Sequence, residues 1–512
     1  MKIIKLFFVF LLPLYLSAQE TSVSRANQLF NDGNFKAALE TYLAIYDQYK
    51  DDPKVNYRIG VCYLNTNIDK SEAVQYLEKV VATENPNPNA YYLLGRAYHY
   101  AYKFTEAIKM YEKFKSLSKG SDFNKKDVDH QIEYCQNAIE IMKFPLDVTF
   151  ENLGQNINSE YPDYYPFVPV NEGFIVFNSR RDDGSEQLPD GSFTAEVYFA
   201  KVKKGKFGKA KKISQKVNTL TGDEEVIGLS ADGKQVLFYF DNDKSSGDIY
   251  IAKFDGKQLS KIKKLPKEIN SKYTEIAAAI SPDGNAIYFA SDRPGGYGGV
   301  DIYISRKLPN GKWAKAQNLG PTVNTEFDED FPNISPDGKT LYFSSKGHTS
   351  MGGYDIFKAS WDPVKRMWVA VKNLGFPINT PEDNMNFRIS ENGRTGYISA
   401  LRADTKGDLD IYAVTFNEVE PKYTVLKGYI YAADSTQKLT DVYISVVDNE
   451  TGDVFGEYLP NPNTGRYVMI LPPGSYNLLI EADGYAPIEE DFEVYGKSSF
   501  RTEIDKNYYL KP

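Results

Sequence analysis

From residue 22 to about residue 143, apolar side chains recur every three to four positions, as in Ile132, Cys135, Ile139 and Met142. That period marks amphipathic helices with one buried face. At Pro145 the pattern changes. Short, almost continuous apolar runs follow at residues 174–177, 236–240, 287–290, 341–344 and 396–399, each introduced by a Gly-containing turn. Runs of four or five residues that are apolar on both faces predict strands enclosed between neighbouring sheets. A last set of strand-like runs occupies residues 425–512, starting at Lys427-Gly428-Tyr429-Ile430-Tyr431. The fold class is therefore a multidomain α plus all-β chain.

The helical part repeats. Ala38, Ala73 and Ala107 are 35 and 34 residues apart, with Gly60 and Gly95 on the preceding helices and aromatics around them. Small residues at this period let paired helices cross closely, and the pattern resembles the tetratricopeptide array. Three repeats are counted, followed by a capping helix over residues 124–142. Such a solenoid offers a concave face to partners. Asn89, Tyr92, Arg96 and His99 share one helical face and are its candidate partner-binding residues, with Tyr57 and Asn65 as weaker ones.

The strand part also repeats. Turns at Asn171-Glu172-Gly173, Ala231-Asp232-Gly233, Pro282-Asp283-Gly284, Pro336-Asp337-Gly338 and Glu391-Asn392-Gly393 fall 60, 51, 54 and 55 residues apart. Asp-Gly and Asn-Gly supply the positive φ angles of tight hairpins. Four strands per repeat at a period near 50 predict a β-propeller of about five four-stranded blades. The fifth copy lacks an outer strand after residue 414. The run Leu146-Asp147-Val148-Thr149-Phe150 is predicted to complete it and close the ring. The Ser-Pro-Asp-Gly turn and the Gly-Gly-x-Asp-Ile-Tyr/Phe start of the third strand resemble the WD40-like repeat of bacterial periplasmic propellers, over roughly residues 146–416.

In the last part, Leu471-Pro472-Pro473-Gly474-Ser475-Tyr476 followed by Ala482-Asp483-Gly484-Tyr485 resembles the carboxypeptidase-regulatory-like module, a transthyretin-like β-sandwich that is generally noncatalytic. The domain plan is thus residues 1–18 signal peptide, 19–144 helical repeats, 145–416 propeller, 417–424 linker and 425–512 sandwich.

Lys2 and Lys5, an apolar run over residues 6–16 and Leu16-Ser17-Ala18 read as a cleavable secretory signal, cut between Ala18 and Gln19. Its loss takes the net charge from −9 to −11, so nothing basic marks a nucleic-acid surface. No later run is long enough to span a membrane as a helix. Cys62 and Cys135 lie in helical patterns and read as buried thiols, although export would permit a disulfide.

Candidate chemistry is sparse. His99, His130 and His348 are the three histidines, scattered and without metal-ligand spacing. There is no Gly-x-Ser-x-Gly, His-Glu-x-x-His or phosphate loop. No catalytic, metal or cofactor residue is expected. One charge pattern does recur. Acids stand before the first strands (Glu160, Glu224 with Glu225, Glu275, Glu329 with Asp330, Glu382 with Asp383), and bases after four second strands (Arg181, Arg293, Lys346, Arg402). Asp248, Asp301, Asp355 and Asp410 open third strands. Blade topology brings all three sets to one rim. They read either as ion pairs within blades or as a polar rim for a partner or Ca²⁺, with the four bases as its candidate binding residues.

The module order resembles periplasmic proteins of the outer-membrane-protein-A family associated with type IX secretion and gliding, without the terminal peptidoglycan-binding domain. The resemblance implies a noncatalytic periplasmic scaffold at the outer membrane that is peripheral and binds envelope proteins. The alternative is a protein that binds glycan or a cell-wall ligand through the propeller rim and sandwich.

Overall fold

The computed structural model describes residues 22–118, 122–219, 222–242, 245–391, 393–417, 423–433, 436–494 and 503–512. The expected signal peptide, Asn392 of the fifth turn and most of the expected linker lie outside the described residues. The chain divides into two compact units, Met1–Thr415 and Phe416–Pro512.

The first unit begins with eight α-helices among the described residues: α1 (Val23–Asn31), α2 (Phe35–Ala44), α3 (Tyr46–Tyr49), α4 (Pro53–Leu64), α5 (Ala73–Val81), α6 (Pro88–Tyr100), α7 (Phe104–Leu117) and α8 (Asp122–Ile141). The side chains of Ser22, Asn34, Asp52 and Asn87 cap the starts of α1, α2, α4 and α6 by accepting backbone N–H bonds. Pro53 and Pro88 supply the fixed φ suited to a first turn. Helices pair as α1 with α2, α4 with α5 and α6 with α7, and α8 packs on α7. Ala38, Ala73 and Ala107 are fully buried at these crossings. A Cβ on Gly60 would lie 2.6 Å from Leu77, and one on Gly95 would lie 2.7 Å from the Tyr111 ring. Glycine is therefore what lets α4 meet α5 and α6 meet α7. Cys62 and Cys135 are buried free thiols.

Five antiparallel sheets follow. Their innermost strands are Asp163–Phe167, Asp223–Leu229, Glu275–Ile280, Glu329–Ile334 and Arg388–Ile389. The second strands are Phe174–Ser179, Gln235–Asn242, Ala286–Ser291, Thr340–Ser345 and Thr395–Ala400, and the third are Glu196–Lys203, Ser245–Lys253, Asp301–Arg306, Asp355–Asp362 and Asp410–Phe416. In the fifth sheet the outer position beside Asp410–Phe416 is taken by Val148–Asn152, the strand that precedes the first blade. The ring therefore closes as the pattern predicts. Apolar clusters join adjacent blades: Val176, Phe199, Val226 and Phe238 between the first and second, Ile302, Phe343 and Phe357 between the third and fourth, and Ile175, Phe177, Tyr397 and Ile411 between the first and fifth. Each fully buried Phe in these clusters contributes about 1.5–3 kcal/mol.

The Ser-Pro-Asp-Gly turns owe their sequence to local bonds. Asp337 Oδ1 accepts the Ser335 hydroxyl at 2.6 Å and the Lys339 N–H at 3.1 Å, and Gly338 sits at φ 74°. Ser335 Oγ in turn accepts the Thr340 N–H, which opens the second strand.

In the second unit, Thr424–Ala432 pairs with Arg466–Leu471, Glu503–Asp505 and Tyr508–Leu510, while Val454–Tyr458, Tyr443–Asp448, Gly474–Glu481 and Ile488–Val494 form another sheet. One buried core draws Leu426, Ile430 and Met469 from the first sheet and Ile444, Val446 and Leu478 from the second.

Candidate functional site at the covered rim

Each blade is tied to the one before it by a recurring asparagine. In Ile157-Asn158-Ser159, Val217-Asn218-Thr219, Ile269-Asn270-Ser271, Val323-Asn324-Thr325 and Ile378-Asn379-Thr380, the asparagine is buried. Its Oδ1 accepts the N–H of Ile411, Val197, Ile249, Ile302 or Ile356, and its Nδ2 donates to the carbonyl of that same residue, all at 2.8–3.0 Å. An amide does this well because it carries a donor and an acceptor side by side. The following Ser or Thr sends its backbone N–H to the first strand of its own blade, to Asp163 (2.6 Å), Glu224 (2.9 Å), Glu275 (2.8 Å) and Glu329 (2.7 Å), and in the fifth blade to Asn384 (2.7 Å), just before that strand.

These bonds correct the sequence reading of the charged rim. The recurring acid of the first blade is Asp163 rather than Glu160. In the fifth blade its place belongs to Asn384 rather than Glu382 or Asp383. The bases are also committed internally. Arg181 pairs with fully buried Asp163 at 2.6 Å, and Arg293 with fully buried Glu275 at 2.8 Å. Lys346 pairs with Asp328 at 2.9 Å. Arg402 donates to the Pro377 carbonyl at 2.7 Å and lies over the Phe150 ring. Arg181, Arg293 and Lys346 each answer a carboxylate of their own blade, whereas Arg402, whose buried Nε has no hydrogen-bond partner, lines a cavity beneath the helical array. The acids that open the third strands are held too. Asn318, Asn373 and Asn152 donate to Asp301, Asp355 and Asp410 at 2.7 Å, and Lys212 and Lys264 of the outer strands pair with Glu196 and Asp248.

The helical array sits on this rim. His99 Nε2 is 2.8 Å from the Met351 carbonyl. A carbonyl only accepts, so that nitrogen carries the proton. Tyr134 donates to the Lys346 carbonyl at 2.7 Å and Asn137 to the Ser350 carbonyl at 2.9 Å. Met351 is fully buried among Phe104, Ala107, Tyr111, Phe114 and Cys135. On the other side, Lys70 pairs with Glu382, and Asn67 donates to Asp408 at 2.7 Å.

The expected groove is thus occupied from within the chain. His99 docks on the fourth blade, the Arg96 guanidinium lies over the Tyr100 ring, and Tyr92 donates to Asp127 of α8 while packing on Tyr111 and Phe114. Asn89 alone of the four is exposed. The structure brings His99 and Lys346 to one interface and leaves Asn89 apart.

Between the array and the fifth and first blades a cleft remains. Three cavities of about 660, 370 and 570 Å³ meet at Asn67. Their walls include Lys36, Lys70, Tyr100, Glu382 and Asp408. Burial pushes His99 down to about 4, so it is neutral at physiological pH. Burial also raises Glu382, against the pull of Lys70. The propeller channel below is filled: the Tyr165 and Phe331 rings meet at a tilt with centres 4.2 Å apart, beside Ile276 and Met385. Asp330 there is pushed up to about 7 by burial. Among the described residues no group of three or more His, Cys, Asp or Glu side chains is arranged to hold a metal ion.

A tetratricopeptide-repeat family model matches residues 55–87, which span α4 and α5. No curated protein matches the chain. Among solved structures, a BT0996 complex with RGII is 9% identical with a TM-score of 0.38, over 56% of this chain and 96% of that one. The WD40 repeats of RRP9 are 9% identical at a TM-score of 0.28 (52% and 97% covered), and an α-L-arabinofuranosidase from Lactobacillus brevis is 12% identical at 0.32 (52% and 92%). These likenesses are too loose to carry an argument about activity, and the propeller rests on its five sheets.

Proposed function

We propose that this chain is an adaptor of the bacterial cell envelope that grips a polypeptide partner in the cleft between the helical array and the fifth and first propeller blades. The observation that carries the reading is the asymmetry of the interface. The array is bonded to the fourth blade through His99, Tyr134 and Asn137 and reaches the fifth through Lys70–Glu382 and Asn67–Asp408, yet around these last two contacts, beside the fifth and first blades, three joined cavities remain. Pockets at the junction of two packed modules are a common place for ligands. The walls mix cations, anions and amides, which suits an extended peptide with its own N–H and C=O groups. The recurrent polar side chains serve blade closure, which supports a binding role over a catalytic one. Support for export by residues 1–18 is their charged, apolar and small-residue order, and support for a periplasmic address at the outer membrane and a partner from secretion or gliding machinery is the family resemblance. No helix among the described residues is long and apolar enough to cross a membrane.

The test places a photoreactive amino acid at Lys36, an exposed wall of the cleft, or at Asp255 on a propeller hairpin, in living cells. One defined envelope protein, recovered by mass spectrometry from position 36 and absent from position 255, is the expected result. Equal recovery from both positions, or none from position 36, removes the reading. A saccharide-binding role has its own support in a cavity on the opposite rim.

A further inference from the structure

The turn rim carries a cavity of about 410 Å³ between the third and fourth blades. The blade repeat explains why it exists. In the cleft between the first and second blades, Phe174 opens the second strand and meets Phe254, with ring centres 5.3 Å apart. A Cβ on the neighbouring turn glycine, Gly233, would strike that Phe174 ring at 2.9 Å. In the cleft between the third and fourth blades the matching positions are Ala286, Trp361 and Gly338. The phenyl ring is missing, and a Cβ on Gly338 would meet nothing within 4 Å. At the strand position that Phe174 fills in the first blade, Ala286 leaves this cleft without a phenyl ring.

Its walls are chemically distinctive. Trp361 and Trp368 meet edge to face as a cross-strand pair, ring centres 5.2 Å apart, with Tyr288 beside Trp368. Two of the chain's three tryptophans line this one cavity. Trp368 is 4% exposed, and its indole N–H is buried without a hydrogen-bond partner. The Tyr288 hydroxyl is close enough to feel that N–H but does not complete a hydrogen bond. A buried donor left unmade costs about 1–3 kcal/mol, so its persistence invites an acceptor from outside. At the mouth stand Arg306, Asp283 and Asp337.

We propose that this cavity binds one unit of a neutral saccharide. The apolar face of a sugar ring would lie on the indoles, a ring or hydroxyl oxygen would accept the Trp368 N–H, and outer hydroxyls would bond to Arg306 and the two carboxylates. A run of prolines also stacks on aromatics and accepts from indoles, but its backbone offers no N–H to Asp283 and Asp337. A uronic acid would place its own charge beside them. The size falls within the range of about 300–1,000 Å³ typical of small-molecule sites. This deepens the saccharide-binding reading and rests on it. The cleft adaptor lies on the opposite rim and is tested separately.

The experiment follows intrinsic tryptophan fluorescence and calorimetric heat of the full chain during titration with cellotetraose, maltotetraose, mannotetraose and chitotetraose, and with a decaproline peptide. Saturable binding of at least one tetrasaccharide is expected. Ala286→Phe, which restores the filled cleft of the first blade, should abolish it while the thermal midpoint stays level or rises. Trp368→Phe, which keeps a ring and removes the N–H, should weaken it about tenfold or more. The proposal is overturned by absence of saturation with all four saccharides, by saccharide binding that survives Ala286→Phe, or by binding of decaproline alone.

Discussion

The two rims of the propeller are built from one repeat and have opposite fates. At the covered rim every blade repeats the same asparagine and hydroxyl residue, four blades add an acid and the fifth an asparagine, and these groups bond to one another and to the neighbouring blade. At the turn rim three blades share the Ser-x-Asp-Gly hairpin, and the residue that opens the second strand differs from blade to blade, as in Phe174 and Ala286. The recurring charges therefore mark what the fold needs everywhere. The departures from recurrence mark where a ligand can enter. Three candidates drawn from recurrence, Arg181, Arg293 and Lys346, are clasps, whereas the turn-rim cavity lies at a break in the pattern.

That contrast can be broken by substitution. Arg293→Met leaves Glu275, fully buried, with its hydroxyl partners but no counter-charge, and should cost about 3–5 kcal/mol in denaturant unfolding. A loss below about 1 kcal/mol, with an envelope interaction removed instead, would return Arg293 to the binding residues.

His99 sharpens the comparison through pH. Its folded pKa of about 4 lies below its ordinary value, so the unfolded chain binds more protons between pH 4 and 6.5. Stability from this group is complete above pH 6.5 and is lost as pH falls towards 4. The difference in stability between the native chain and His99→Gln should therefore grow by up to about 3 kcal/mol as pH rises from 4 to 6.5. A flat difference would mean the imidazole is not buried against the fourth blade.

Asn324→Ala removes two buried bonds to the Ile302 backbone and should cost about 2–3 kcal/mol. The same substitution at exposed Asn89 should lie within about 0.5 kcal/mol of zero. Equal effects at the two positions would contradict the clasp.

Much of the fold is legible in the sequence because its signals are local and repeated. The Asp-Gly turns, the apolar second strands and the small residues at helix crossings each occupy a few adjacent positions. The closing strand, Val148–Asn152, is legible because the fifth copy visibly lacks an outer strand. The clasp asparagines are harder to see. A lone Asn in a loop has no period, and only the alignment of Ile/Val-Asn-Ser/Thr across five blades reveals it. The docking of the array is not legible at all. His99 and Met351 stand 252 residues apart, and no pattern in α6 distinguishes a face that meets a partner from one that meets the chain's own propeller. The same holds for the interblade cavity, which appears only when Ala286 is set beside Phe174 in space.

The central claim is that the helical array is seated on the propeller rim. Zero-length carbodiimide coupling tests it most directly, because it joins only amines and carboxylates already in contact. Lys70 and Glu382 pair across the interface, and Lys115 and Asp129 pair between α7 and α8 as an internal standard. Mass spectrometry of the digested full chain should find both the Lys70–Glu382 and the Lys115–Asp129 isopeptides. Recovery of the Lys115–Asp129 link with Lys70 joined only to acids of the helical array would show that the two modules do not meet as described.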